Sequence, residues 1–594
     1  MAQSVLGGAV PAANSAKRVK LTGRAFYESI GSPKMIVAPM VDRSEFAWRL
    51  LTRSYLDKER SKELLAYTPM LHARLFREQA KFRDAHFQPT KESLVSKSRS
   101  EAEPFLDGNP STDRPLFVQF CANKPDDLLE AAQYVAPYCD AVDLNLGCPQ
   151  GIARSGHYGA FLQEDWDTIH SMIRKLRDEL PVPVTAKMRI LDTREKTLDY
   201  ARMILDAGAS ILTVHGRRRE QKSHNTGVAD WSMIRYLRDN LPPETVLFAN
   251  GNILNYTDIE PCLRATGADG VMSAEGNLSD PTIFAKPPPI DAVKAAREYW
   301  RDSQNPEIGG YRIDGVFRRY MDIIHRYVLE QEPPQRLPLY LPEDAIPQSN
   351  GTATTTPPVV ASPTPISQVN TSPDHATAPE VDGDDTSRPS KKQKRSHSKK
   401  TQVAATHNPN LKAMQGHLFQ LLRPMLSTHI PIRDALAKAR ADNIQAFETV
   451  LSMVEEAVRQ GLVEEHTTTV LAQQKVKDNG EVANDVVEEL GSGEVDKKSS
   501  AATREKYKRP FWVCQPHIRP LPDEAIKIGA MTLSKKEKEK LAQEEGLEKG
   551  NQKKKEEEAK SQAAVADALQ GDKSRVEREE ILHELPREEA LACG

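Results

Sequence analysis

Eight short apolar runs recur between residues 35 and 272, at 35–38, 64–67, 116–120, 141–144, 184–188, 211–214, 246–249 and 270–272. A polar loop follows each, and most loops lead into residues whose apolar positions repeat every three or four, as on one face of a helix. Helices are predicted at 126–136, 166–179, 193–207 and 231–240, the last two running into the stops Ala207-Gly208 and Pro242-Pro243. Strands and helices in this alternation predict an α/β fold, a TIM (β/α)8 barrel over 33–289, rather than an open sheet.

Outside that pattern the chain divides by composition. Residues 87–113, rich in Lys, Ser and Glu, read as a surface insertion in the barrel. A helical domain is predicted in two parts. In 290–341 the residues Val316, Phe317, Tyr320, Ile323, Ile324 and Tyr327 share one face, and in 410–466 a stripe runs from Leu418, Leu421, Leu422 and Met425 to Phe447, Val450, Leu451 and Val454. The intervening 342–409, a tract of Thr, Pro, Ser and Asp without apolar period, is expected to be a disordered linker. A flexible N-terminal segment over 1–32, disorder over 467–505 and a charged tail over 523–594 complete the expectation. Segment 506–522 interleaves Phe511, Trp512, Val513, Cys514 and Ile518 with Lys506, Lys508, Arg509, His517 and Arg519. Such a segment suits either docking of an apolar strip or stacking on RNA bases.

Composition refines this picture. Of 594 residues 39% are apolar and 28% charged, with 41 prolines, which fits a globular part diluted by disordered segments. A net charge of −3 gives no global attraction to nucleic acid, so RNA binding must rest on local basic patches. Six cysteines without paired spacing argue against a disulfide framework and against a metal site, and favour a reducing compartment. No stretch approaches the roughly 20 apolar residues that cross a bilayer, and no secretory signal is seen at the N-terminus. We therefore expect a monomer without a membrane partner, located in the cytoplasm, the nucleus or both. The basic clusters Lys17-Arg18-Val19-Lys20 and Lys391-Lys392-Gln393-Lys394-Arg395 read as nuclear import signals or as solvated tail, and the acid-free stretch before Glu28 only loosely matches a mitochondrial presequence.

Candidate chemistry lies at the strand ends, since barrel enzymes keep their reactive groups on the C-terminal face. The fourth run continues as Asp143-Leu144-Asn145-Leu146-Gly147-Cys148-Pro149, an apolar strand ending in an amide, a glycine and a thiol. A single cysteine is most often core, but the loop 150–162 that follows carries Arg154, Gly156, His157 and Gly159, a composition suited to covering a ligand. The first strand ends in Ala38-Pro39-Met40-Val41, with backbone donors and a soft side chain for a flat ring. Gln119 on the third offers an amide that donates and accepts, or simply faces solvent. Lys187 and Arg189 place two cations at an apolar mouth, where a ligand or carboxylate must offset them. The remaining ends are His215-Gly216-Arg217-Arg218-Arg219, Asn250-Gly251-Asn252 and Ser273-Ala274-Glu275-Gly276-Asn277. Small residues after the last two strands let backbone N–H groups approach phosphate oxygens.

In this order, Ala-Pro-Met-Val, Asn-Leu-Gly-Cys-Pro, Lys-Met-Arg, Thr-Val-His-Gly-Arg and Ala-Asn-Gly-Asn resemble the motifs of the tRNA-dihydrouridine synthases over about 32–279. Thr68-Pro69-Met70-Leu71-His72, the run 156–162 and Cys514-Gln515-Pro516 are similar to the eukaryotic branch acting on positions 16 and 17 of the D-loop. The resemblance implies reduction of the C5–C6 bond of uridine in tRNA, with FMN as cofactor and NADPH or NADH as reductant. It implies that Pro39, Met40, Val41, Gln119, Lys187, His215, Asn250, Gly251 and Asn252 hold FMN, with Ala274 and Glu275 closing the phosphate site and Lys187 stabilising negative charge on the flavin. Cys148 becomes the proton donor to C5, a role suited to a thiol whose reference pKa of about 8.5 keeps it protonated at neutral pH. Asn145 positions the uracil, and Arg217 to Arg219 with the helical domain contact RNA phosphates. Ala274-Glu275 departs from the Gly-Arg of many bacterial relatives, so a backbone role is expected there unless the carboxylate points away. Two other readings stay open. A flavin barrel reducing a free pyrimidine explains the mouth but not the appendage, and a non-catalytic RNA-binding protein explains the appendage but not Cys148, Lys187 and His215.

Overall fold

A computed structural model of the chain describes residues 20–57, 59–92, 102–289, 297–302, 305, 308–345, 408–479 and 499–529. Eight parallel strands form its centre: β1 (Met35–Val37), β2 (Leu64–Tyr67), β3 (Leu116–Cys121), β4 (Ala141–Leu146), β5 (Val184–Arg189), β6 (Leu212–His215), β7 (Leu247–Asn250) and β8 (Gly270–Ser273). Each pairs with its neighbours in sequence, and β1 pairs with both β2 and β8, so the sheet closes into a TIM barrel. A two-residue strand, Leu71–His72, runs beside the end of β3.

The two-residue period of a strand divides each run between two environments. One parity faces the helices: Val37, Ala66, Val118, Leu144, Ala186, Val214 and Ala249 join the layer around the barrel. The other faces inward, where Ile36, Leu65, Phe117, Ala141, Ile211 and Phe248 fill the lower barrel. Further along the same parity, toward the C-terminal strand ends, stand Gln119, Asp143, Asn145, Lys187, His215 and Asn250. The polar mouth and the apolar floor are therefore one face of the same strands.

Four sequence expectations are corrected. Residues 20–32 are not a flexible segment: helix Gly23–Ser29 seats Phe26 and Tyr27 in the floor, with Phe26 stacked on Phe117 at 5.9 Å. The flanks of 87–113 are core rather than surface insertion, since Phe87, Leu106, Asp107 and Asp113 are buried and both aspartates bind the buried Arg49. The described part of 290–341 is only partly helical. It contains an antiparallel ribbon of Tyr299–Arg301 with Gly309–Tyr311, then helix Ile313–Ile323, then 331–340 without regular structure, where Pro333, Pro334 and Pro338 lack helix donors. Disorder over 467–505 is overturned at both ends, by helix Ile444–Asn479, which meets no glycine or proline between Gly461 and Gly480, and by helix Ser500–Lys506. Both basic clusters, apart from Lys20, and most of the linker and tail expectations lie outside the described residues.

Helices Pro409–Leu421, Ile430–Lys438 and Ile444–Asn479 pack with Ile313–Ile323 into a second core, which also takes in Phe46, Trp48 and Leu51 from the barrel helix Phe46–Arg53. The joint is polar as well as apolar. His417 stacks on Trp48 at 4.4 Å, accepts from Tyr320 Oη at 2.8 Å and faces the Arg43 carbonyl at 2.8 Å, while Trp48 Nε1 donates to Asn277 Oδ1 at 2.9 Å. Segment 506–522 is docked into this body. Ile313 donates to the Trp512 carbonyl, Cys514 to that of Tyr311, and Trp512, Val513 and Cys514 are buried in the second core. Among the described residues no helix is long and apolar enough to cross a membrane.

Candidate active site

The inward polar residues at the strand ends bond to one another from strand to strand. Asp143 lies deepest, with Oδ1 accepting from Thr185 Oγ1 at 2.6 Å and Oδ2 from Gln119 Nε2 at 2.8 Å. Burial pushes its carboxyl up to about 6, against those hydrogen bonds and the charge of Lys187. Gln119 Oε1 then accepts from Asn145 Nδ2 at 2.8 Å. Asn145 Oδ1 accepts from the backbone N–H of Gly147 at 3.1 Å and of Cys148 at 2.9 Å, fixing the turn that presents the thiol. An amide has two donors and two acceptor lone pairs. For Asn145 both lone pairs and one donor are committed to the protein.

Cys148 is half-buried against Cys121, Ala153 and Tyr158. Its carbonyl accepts from Ala160 at 3.1 Å. Gly159 has φ +65°, and a Cβ there would stand 2.9 Å from that carbonyl oxygen, so the loop after β4 can close on Cys148 only with glycine at this position.

Beside Asn145, Lys187 is nearly buried, and no carboxylate forms an ion pair with it among the described residues. Burial lowers its ammonium to about 7, with Arg189 acting in the same direction and Asp143 opposing. Arg189, lowered to about 10 chiefly by burial, donates through Nε to the Gly147 carbonyl at 2.8 Å and so braces the turn from its other side. Arg217 Nη1 lies 3.1 Å from His215 Nε2, which makes that nitrogen an acceptor and the ring neutral. Burial and the cations Arg189, Lys187 and Arg217 hold His215 well below its usual range. Arg217 also donates to Asn252 Oδ1 at 3.1 Å, and Asn252 Nδ2 to the Ala229 carbonyl at 2.8 Å.

Two clefts open at the mouth. The smaller, of about 210 Å³, is lined by His215, Asn250, Gly251, Asn252, Ala274 and Glu275 of the predicted set, joined by Arg189, Arg217 and Arg519. The larger, of about 570 Å³, lies between the mouth and helix Pro409–Leu421 and is lined by Val41 together with Met70, His72, Cys121, Tyr158 and Lys412. Gln119, Asn145 and Lys187 are held inside the barrel, while Pro39, Met40 and Cys148 are half-buried at the strand ends or just beyond, except that Lys187 and Asn145 retain a trace of exposure. The arginine cluster differs from expectation. Arg217 is an internal brace, and Arg219 bonds Glu164 Oε1 at 2.6 Å and covers the Phe161 ring, so among the described residues only Arg218 of the three is left without a side-chain carboxylate or histidine contact.

Sequence reasoning did not select Asp143, which the strand parity shared with Asn145 would have revealed, nor Arg519. Arg519 binds Glu275 through both carboxylate oxygens, at 2.9 and 2.5 Å, and His517 approaches the same carboxylate at 3.2 Å. Burial alone would raise the Glu275 carboxyl, but hydrogen bonds from His517 and Arg519 bring it down to about 2. The acid after β8 is thus ionised and committed to residues about 240 positions away in sequence. No local pattern contains that pairing.

The family model described as dihydrouridine synthase matches residues 36–303. A tRNA-dihydrouridine(16/17) synthase [NAD(P)(+)] of Schizosaccharomyces pombe is 39% identical over 84% of this chain and 92% of its own length. The protein of the same description from Saccharomyces cerevisiae is 52% identical, over 53% of this chain and 66% of that protein. A human tRNA-dihydrouridine(20a/20b) synthase-like protein is more distant, 33% identical over 42% of this chain and 70% of its length. With the barrel, the ordered mouth and these similarities together, the chain belongs to the dihydrouridine synthase family, in its tRNA-dihydrouridine(16/17) branch.

Proposed function

We propose that the protein reduces the C5–C6 bond of uridines 16 and 17 in the D-loop of tRNA, with FMN as its flavin and NADPH or NADH as the source of electrons. The observation that carries this reading is the turn after β4, where Asn145 and Arg189 hold the backbone of Gly147 and Cys148 beside a buried Lys187 that has no ion-pair partner among the described residues. An ammonium so placed is costly unless a ligand offsets it. The mouth fits a flavin phosphate ester: the smaller cleft gathers Arg189, Arg217 and Arg519 around small residues, and at Gly276 a Cβ would stand 2.4 Å from the Ile253 carbonyl. FMN, when bound, supplies the two-electron hydride chemistry that no side chain has.

The chain's residues supply the rest. His215, Asn250, Gly251 and Asn252 line the cleft for the cofactor, and Lys187 sets positive charge at the barrel mouth. Cys148 holds the proton destined for C5 of the uracil. Asn145 acts mainly by fixing that thiol, and its remaining N–H is the group through which it meets the base. Lys412 and Arg43 on the larger cleft, and Arg423, Arg504 and Lys508 on the seam with the C-terminal segment, offer the local basic patches that a chain of net charge −3 needs to hold an RNA backbone. A uridine in a loop gives up little stacking to enter such a site.

Cys148→Ala is the direct test. The variant is expected to retain flavin and to lose at least 100-fold of the rate of dihydrouridine formation at positions 16 and 17, read by mass spectrometry of reacted tRNA. Undiminished product would remove Cys148 as the acid.

A further inference from the structure

Glu275 and Arg519 form a contact between the barrel mouth and the C-terminal segment that a docking role alone leaves unexplained. The segment is already held by other contacts: Trp512, Val513 and Cys514 are buried in the second core, and Tyr507 Oη donates to Asp258 Oδ1 at 2.7 Å. The chain nevertheless continues across the end of β8 and brings Arg519 into the lining of the smaller cleft. There its guanidinium grips the Glu275 carboxylate with two bonds and donates through Nη1 to the Ser223 carbonyl at 2.8 Å. Among the described residues Glu275 is the one acid lining a cleft that also holds the cations Arg189, Arg217 and Lys222, and in the absence of Arg519 its negative charge would face any anion bound among them. A bidentate guanidinium pair fixes the carboxylate in direction as well as charge.

We propose that Arg519 is a cofactor-binding residue, delivered from the C-terminal segment to complete the site for the FMN phosphate: it neutralises Glu275, so that the phosphate meets the remaining cations of the cleft without a facing acid. The proposal rests on the flavin reading above and places one determinant of cofactor affinity more than 200 residues beyond the barrel. Its effect is confined to the phosphate end, which separates it from a general stabilising role. FMN and riboflavin share the ring system and differ by that phosphate, so the pair of ligands reads the contact directly.

The experiment uses full-length protein stripped of flavin and titrated with FMN and with riboflavin, followed by flavin fluorescence. Arg519→Ala is expected to lose tenfold or more of its FMN affinity while its riboflavin affinity stays within twofold of wild type. Adding Glu275→Gln to that variant is expected to restore part of the FMN affinity, because the unneutralised acid is then gone. Unchanged FMN affinity in Arg519→Ala, an equal loss for both ligands, or no recovery in the double variant would overturn the proposal. Wild-type protein that binds neither flavin would instead sink the flavin reading itself, and the assignment of Arg519 with it.

Discussion

Lys187 shows how a single buried group records its purpose. Its ammonium sits near the end of β5 with Arg189 on the same strand and His215 on the next, while Asp143 and, less strongly, Cys148 oppose the accumulated charge. Burial takes it from the usual 10.5 to about 7. Below about pH 7 both folded and unfolded chains carry the proton, and the folded state bears the full cost of a buried cation. Between about 7 and 10.5 the unfolded chain keeps a proton that the folded chain has shed, so stability of the flavin-free protein rises with pH, by at most about 1.4 kcal/mol per unit from this group. Lys187→Met should therefore be more stable than wild type near pH 7, should show a flatter dependence from pH 7 to 10, and should bind FMN more weakly. Urea unfolding of both flavin-free proteins across that range checks it. Parallel pH curves would show that Lys187 does not titrate as its surroundings dictate.

At the scale of the element, helix Phe46–Arg53 does more than cover β1 and β2. Its Phe46, Trp48 and Leu51 enter the second core, while Arg49, fully buried, binds Asp113 through both oxygens and Asp107 at 2.8 Å. Removing one partner of a buried ion pair leaves uncompensated charge, at a cost of about 3–5 kcal/mol. Arg49→Met, which strands two carboxylates, is expected to lose stability of that order in denaturant melts. A loss below about 1 kcal/mol would mean that the aspartates find other partners or take up protons. These aspartates also mark where sequence reading reached its limit. The strands were legible because inner and outer faces are both apolar in their lower halves, giving short unbroken runs, and the strand ends were legible because polar residues there interrupt the pattern. The sequence reads Asp107 and Asp113 as surface because nothing local tells a solvated acid from one that meets Arg49, 58 and 64 residues away. Helix Gly23–Ser29 was missed for a similar reason: two aromatic residues in a short segment carry no period, and their burial depends on the open floor of a barrel built later in the chain.

For the whole molecule, the division into barrel, helical domain and tail describes the order of the chain better than its cohesion. The second core draws Phe46 and Trp48 from the barrel, Tyr320 from the first helical part, Leu418 from the second and Trp512 from the C-terminal segment, and the last of these continues to Glu275 at the mouth. A barrel cut off after residue 290 would expose Phe46, Trp48 and Leu51 to water, a burden of about 1.5–3 kcal/mol for each side chain, and would lose Arg519 from its cofactor cleft. Domains joined by small polar interfaces melt separately, whereas a shared apolar core couples them. Calorimetry of the full chain should accordingly give one heat-absorption peak for the described body, with flavin release at the same temperature, and Trp48→Ala should move the whole peak down rather than split it. Two resolved transitions, with flavin retained through the first, would establish that the barrel stands without its helical partner and that the joint at Trp48 and His417 is a contact between independent domains.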